Sequence, residues 1–255
     1  MCDLGDDAMA ETRELALAGA PGRRITTHHC DVSDEAAVNA FRDQVVAEHE
    51  TDRVHLLFNN AGIGGGASMF TSTRESWDRC FGVCWGGVLN CTRAFLPLLA
   101  AADEGHLINT SSVNGFWASL GPDRPHTAYS AAKFAVKGFS EALITDLAVN
   151  APHVKVSVVM PGHIGTSIVE NSVRYGGEVL TDEEKSLMKM ASDAFRDNAP
   201  TTAAEAAGII LDGVRAERWR ILVGADAAKI DEAVRAHPEQ AYEGDTFLSI
   251  LLGTD

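Results

Sequence analysis

Val54-His55-Leu56-Leu57-Phe58-Asn59-Asn60-Ala61-Gly62 is the stretch from which the fold can be read. Its first five residues are nearly unbroken in apolar character, the pattern of a parallel strand covered on both faces. The remaining four close the strand in polar and glycine residues that favour a turn. Working outward, four more short β-rich runs occur at residues 24–30, 106–112, 155–160 and 220–223. Between them lie helix-patterned segments at residues 35–48, 75–101, 128–149 and 202–216, and another at 8–18 precedes the first run. Strands alternating with helices of this length predict a parallel sheet with helices on both faces. Ser33 or Asp34 offers an N-cap for one helix and Thr73 for another. No internal repeat, low-complexity tract or linker divides the chain, so residues 1–255 are expected to form one domain. Residues 166–200 carry no strand signal and read as a helical excursion over the active site.

Composition narrows the function classes. Of 255 residues, 45% are hydrophobic and 22% charged, ordinary values for a globular protein. Lys and Arg total 21 against 36 Asp and Glu, a net charge of −15. An acidic surface repels phosphate backbones and anionic membranes, so neither nucleic acid nor a membrane is an expected partner. No apolar run approaches the ~20 residues of a bilayer span. The first seven residues are acidic and lack the apolar core of a signal peptide. Five cysteines, an odd number without a CxxC pair, fit a reduced cytoplasmic setting. Cys80 and Cys84 share a helical face, but zinc usually needs four convergent ligands. Small buried thiols are the plainer reading, and no metal is expected.

The sharpest chemical feature is Tyr129-Ser130-Ala131-Ala132-Lys133. A spacing of four places both side chains on one helical face. A free tyrosine has a pKa of about 10, too high for efficient proton transfer near neutrality. A nearby ammonium favours the phenolate and lowers that value. Upstream, Asn109-Thr110-Ser111-Ser112 closes a strand, and the Ser112 hydroxyl is suited to hydrogen-bond a reacting carbonyl. Asn59-Asn60-Ala61-Gly62 and Met160-Pro161-Gly162-His163-Ile164-Gly165-Thr166 close two others at the same edge, where open α/β sheets bind ligands.

A dinucleotide fold normally opens with a strand, a glycine-rich turn and a helix whose N-terminus receives the pyrophosphate. Met1-Cys2-Asp3-Leu4-Gly5-Asp6-Asp7 contains no such turn. Gly62-Ile63-Gly64-Gly65-Gly66 imitates one. It lacks the acidic residue expected ~20 positions later at a second strand end.

Taken together, Asn59-Asn60-Ala61-Gly62, Ser112, Tyr129-x-x-x-Lys133 and Pro161-Gly162-x-x-x-Thr166 resemble the short-chain dehydrogenase/reductase family in order and spacing, over nearly the whole chain. The resemblance implies an α/β, Rossmann-like, doubly wound parallel sheet ordered 3-2-1-4-5-6-7. It also implies hydride transfer between NAD(P) and a secondary alcohol or ketone. Tyr129 becomes the acid/base and Lys133 the ribose-binding residue that tunes it, while Ser112 holds the substrate oxygen. Asp31 and Val32 bracket the adenine. Asn59, Ala61 and Gly62 line the cofactor groove, and Ile164 and Thr166 meet the nicotinamide carboxamide. Asp3 falls at the end of the family's second strand, where a carboxylate favours NAD over NADP. Relatives commonly form dimers or tetramers through the helices containing Trp85 and Tyr129.

The sequence departs from that family in two places. Its first strand, glycine-rich loop, first helix and most of its second strand have no counterpart here, which should leave the 24–30 strand without its sheet neighbour and expose ladder edges. Cys84 stands where the family usually has an Asn that holds a relay water, and Asn90 lies on another part of the helix. These departures motivate a second reading, a truncated, inactive remnant that serves as a binding or scaffold subunit. A third, an epimerase or dehydratase, shares Tyr-x-x-x-Lys but usually carries a larger C-terminal domain. Val113, Phe116, Trp117, Leu120, Trp85 and Ile168 suggest an apolar substrate pocket, although most suit a core equally well. Arg124 and His126, just before Tyr129, read as a surface turn, with contact to a polar substrate group as the alternative.

Overall fold

The computed structural model describes residues 1–119, 124–176, 181–245, 247 and 249. Its elements run in the predicted alternation. Strand β1 (Cys2–Asp3) leads into α1 (Asp6–Gly19), followed by β2 (His28–His29), α2 (Glu35–His49) and β3 (Leu56–Asn59). Helix α3 (Arg74–Phe81) continues through a π-helical turn, Gly82–Gly86, into α4 (Gly87–Ala100). Then come β4 (Gly105–Thr110), α5 (Thr127–Asn150), β5 (Val154–Pro161) and β6 (Ile164–Gly165). Helices α6 (Ile168–Tyr175) and α7 (Asp182–Asp197) precede β7 (Thr201–Thr202), α8 (Ala203–Arg215), β8 (Arg220–Val223) and α9 (Ala225–Ala236).

The main sheet is parallel and ordered β3-β4-β5-β8. Alternation along β4 assigns one face to each core. Leu107 packs with Leu99 of α4 and with Leu143 and Leu147 of α5, while Ile108 packs with Ala206 and Val214 of α8 and Ile221 of β8. The register aligns Asn59 with Asn109 and Pro161 with Val223, so the carboxyl ends of the strands open on one edge. Asp34, the second of the two N-cap candidates, caps α2 by accepting from the Ala36 and Ala37 amides, and Thr73 caps α3. The 166–200 segment contains α6 and α7, and its base is closed by parallel pairing of β6 with β7.

Three expectations change. First, the 24–30 strand does have a neighbour. Cys2–Asp3 pairs with His28–His29 in parallel, and because β1 offers only two residues the ladder is equally short. Second, β3 is covered on one face alone. Leu57 packs into the core, whereas Leu56 and Phe58 on the opposite face are 52% and 42% exposed. No described strand joins β1 to β3, and a cavity of about 360 Å³ lies between them, lined by Cys2, Asp3, Met9, Leu57, Asn59 and Cys91. The sheet is thus split at the place where the resemblance requires the family's first strand, and the edge of β3 is open. Third, the continuous helix Arg74–Ala100 is long and apolar enough by composition to cross a membrane, with mean hydropathy 1.3, but half of that stretch is buried in this fold.

Candidate active site

Helix α5 carries the central pair, and its start is fixed by the loop that follows β3. The Thr127 amide donates to the Ala67 carbonyl (2.9 Å). The Thr127 hydroxyl (2.9 Å) and the Ala128 amide (3.2 Å) donate to the Gly66 carbonyl. Gly66 has φ +54°, and a Cβ there would lie 2.6 Å from Trp77 Cα and 2.7 Å from Ala128 Cβ. Gly66 therefore lets this loop pack between α3 and α5, a role that needs no phosphate.

Tyr129 and Lys133 project from consecutive turns of α5, with Lys133 Nζ 5.4 Å from the Tyr129 ring centroid. Lys133 is buried and donates to the Thr110 carbonyl at the end of β4 (2.8 Å). Its own backbone carbonyl accepts from the Ser111 hydroxyl (2.7 Å), which locks β4 to α5. The buried Ser112 lies close enough to Tyr129 to act on its phenol, and it caps a 3-10 turn, Val113–Gly115, by accepting from the Asn114 amide (3.1 Å). The structure thus brings Ser112, Tyr129 and Lys133 together. Burial raises the Tyr129 phenol above its ordinary range, Cys84 adds to this, and the Ser112 hydrogen bond pulls it part of the way back. The lowering by Lys133 anticipated from spacing alone does not govern the phenol here, where burial is the largest influence.

The Cys84 and Cys80 sulfurs both lie within hydrogen-bond reach of the Ile63 carbonyl, at 3.1 and 3.4 Å. Hydrogen bonding from Cys80 lowers the Cys84 thiol, burial opposes it, and the Lys133 charge lowers it further. Among the described residues no group of three or more His, Cys, Asp or Glu side chains converges to hold a metal.

The remaining site residues divide by where their side chains go. Asn59 turns inward. Its amide donates to Asn109 (2.8 Å) and Thr92 (3.1 Å), and Asn109 donates on to Ser140 (3.0 Å), in a network joining β3, β4, α4 and α5. Ile164 is buried in the core beside Val159 and Val223, so only its backbone reaches the strand-end region, where its carbonyl accepts from the Thr166 amide (2.8 Å). Asp31 accepts from the Ser33 amide and hydroxyl (2.9 and 2.7 Å) and pairs with Arg79 (2.6 Å). Burial opposes its charge, but these partners hold the carboxyl below its usual value. Val32 packs on Gly87, and its carbonyl accepts from Asn90 (3.0 Å). Asp3 is exposed at the end of β1 and accepts from the Gly5 amide (2.9 Å).

Sequence reasoning missed Arg79, Ser172 and Tyr175, whose partners lie far away in the chain. The surface turn expected at His126 instead brings its ring against Tyr129, with centroids 4.6 Å apart. Burial lowers the His126 pKa to about 4, so it is neutral near pH 7. Trp117 turns away from the site, donating to the Ala241 carbonyl (2.7 Å). Leu120 lies outside the described residues.

The short chain dehydrogenase family model matches residues 1–175. This chain belongs to that family. The short-chain dehydrogenase is 35% identical to SadH of Mycobacterium tuberculosis, a protein named as an oxidoreductase, with 92% of this chain and 80% of SadH covered. Among solved structures it resembles a short-chain dehydrogenase/reductase from Burkholderia phymatum in complex with NAD, with TM-score 0.79, 28% identity, and 94% and 83% of the two chains covered. It also resembles a metagenomic short-chain oxidoreductase in complex with NADP, with TM-score 0.55, 28% identity, and 70% and 78% coverage. Its Rossmann-like α/β fold is that of the family.

Proposed function

We propose that this oxidoreductase moves a hydride between a nicotinamide dinucleotide and a secondary alcohol or ketone, with Tyr129 as acid/base. One observation carries the reading: Lys133 stands 5.4 Å from the Tyr129 ring and Ser112, at the end of β4, acts on the same phenol, all at the carboxyl edge of the sheet. The residues present fit the reactive half of the cofactor. A Cβ on Gly62 would lie 3.5 Å from Lys133 Nζ, so the glycine keeps the space beside the ammonium open. Lys133 brings three N–H donors, of which Thr110 takes one. Lys133 would therefore hold the nicotinamide ribose hydroxyls, with Ala61, Gly62 and Thr166 beside it. Asp31, Val32 and Asp3 would line the adenosine end. The exposed Asp3 carboxylate favours NAD, because it accepts from a 2′-hydroxyl and repels a 2′-phosphate. No pyrophosphate cradle is evident at α1, whose first turn carries Asp6 and Asp7 and so disfavours an anion.

When bound, the dinucleotide supplies or accepts the hydride. Ser112 donates to the substrate oxygen and orients it toward Tyr129. In reduction, Tyr129 Oη gives its proton to the developing alkoxide; in oxidation, its phenolate removes the alcohol proton. Neutral His126 covers one side of the Tyr129 ring and shields it from water. The 166–200 segment is assigned to covering the substrate. Dimers or tetramers would form through the faces that carry Trp85 and Tyr129.

The test is an absorbance assay of NAD and NADP reduction with a panel of secondary alcohols. Reduction of NAD by at least one of them is expected, and inactivity toward the whole panel with both cofactors speaks against the reading. One observation favours the second reading, a non-catalytic binding or scaffold subunit: the split between β1 and β3. NADH titration separates the two, because binding at micromolar concentration is expected of the enzyme alone.

A further inference from the structure

Helix α6 is bonded to the groove lining at three points. The Gly64 amide donates to Ser172 Oγ at 2.6 Å, while the Ser172 hydroxyl donates its own proton to Ile168 O at 2.5 Å, leaving a lone pair aimed at Gly64. Arg79 Nε donates to the Tyr175 carbonyl at 3.2 Å, and the same guanidinium holds Asp31 and Ser33. The Tyr175 ring packs on the cluster containing Cys30, Val32, Ile63 and Val83. Its hydroxyl lies 3.2 Å from the position of a Cβ on Gly5, and the Arg174 guanidinium stands 5.3 Å from the ring's centroid. Tyr175 therefore reaches from the Asp31–Val32 strand end to the Asp3–Gly5 turn. These are the two places assigned above to the adenosine end of a dinucleotide.

We propose that α6 is a self-docked strap whose Tyr175 ring occupies the base-binding end of the groove, so that a dinucleotide must displace it in order to bind. The inference rests on the reading of the groove as a nicotinamide dinucleotide site. A flat, partly buried aromatic ring flanked by aliphatic side chains meets the same requirements as a purine base, and both cannot lie there at once. Strap release and cofactor binding are then one linked equilibrium. Apparent affinity is the intrinsic affinity reduced by the fraction of molecules in which the strap is undocked. Weakening the latch raises affinity, and fixing it lowers affinity.

The geometry supplies a direct lock. A Cβ on Gly64 would lie 3.7 Å from Ser172 Cβ, within the range of a disulfide. NADH binding is followed by fluorescence in the wild-type chain, in Ser172→Ala, in Tyr175→Ala, and in the double variant Gly64→Cys with Ser172→Cys, oxidised and then reduced. Circular dichroism confirms that each is folded. Ser172→Ala and Tyr175→Ala are expected to bind NADH at least fivefold more tightly than wild type. The oxidised double variant is expected to lose binding and regain it on reduction. If the oxidised variant binds like the reduced one, or Tyr175→Ala binds more weakly, the strap is overturned while the cofactor reading stands. If no chain binds NADH under any condition, the cofactor reading fails and takes the strap with it.

Discussion

The Lys133 ammonium stands 5.4 Å from the centroid of the Tyr129 ring, one turn along α5, and one of its three N–H groups donates to the Thr110 carbonyl. Lys133 is also 2% exposed and has no carboxylate partner among the described residues, so it costs folding energy to keep it there. Replacing it should separate stability from activity. Lys133→Met is expected to melt at the same temperature as wild type or higher, and to lose on the order of 100-fold in kcat/KM. Thermal unfolding and steady-state kinetics on the same preparation check both halves.

Ser112 caps Val113–Gly115 and is proposed to hold the substrate oxygen beside Tyr129. Ser112→Ala should therefore lower stability by about 1 kcal/mol, the usual value of a lost cap, and reduce kcat at least tenfold. Ser112→Thr keeps the hydroxyl and should recover part of each. Denaturant unfolding and the kcat of both variants read the two effects separately.

Gly87 tests the close packing under the Asp31–Val32 strand end. In an exposed helix interior, Gly→Ala would gain up to about 1 kcal/mol from propensity. Here a Cβ would sit 2.6 Å from Val32 Cγ2, and both residues are buried. Overpacking is expected to win, and Gly87→Ala should lose about 1–3 kcal/mol. Val32→Ala in the same chain should recover part of that loss, which a double-mutant cycle in urea measures.

His126 makes stability depend on pH. Its folded pKa is lowered by burial from 6.5 to about 4. As pH falls below 6.5 the unfolded chain takes up the proton first, so the folded state loses ground until the pH is below 4, where both forms are charged. The loss is at most about 3 kcal/mol, spread over that window. His126→Phe keeps the ring against Tyr129 and should flatten the wild-type decline in melting temperature between pH 6.5 and 4.

Much of this arrangement could be read from residue order, because the signals are local. The apolar run at Leu56–Phe58, the caps at Asp34 and Thr73, and the i,i+4 spacing of Tyr129 and Lys133 each depend on a few neighbouring residues. What escaped the reading depends on distant partners. The amide of Asn59 could face a groove or the interior, and only the positions of Asn109 and Thr92 send it inward. Ile164 looked like a contact residue by position, yet the approach of β8 and α8 buries it. The exposed face of Leu56 and Phe58 follows from the split sheet, since an apolar run does not reveal whether a helix covers it. Arg79 and Tyr175 are 96 residues apart in sequence, and no periodicity links them.

The central claim is that Tyr129 transfers the proton. The direct measurement compares Tyr129→Phe with wild type for kcat/KM on the best alcohol of the panel, together with NADH affinity for each. Removing the hydroxyl leaves the ring, its burial and its contact with His126 in place. A fall of about 100- to 10,000-fold in kcat/KM with NADH affinity unchanged is the predicted result. A Tyr129→Phe variant that turns over within a few-fold of wild type would contradict the account.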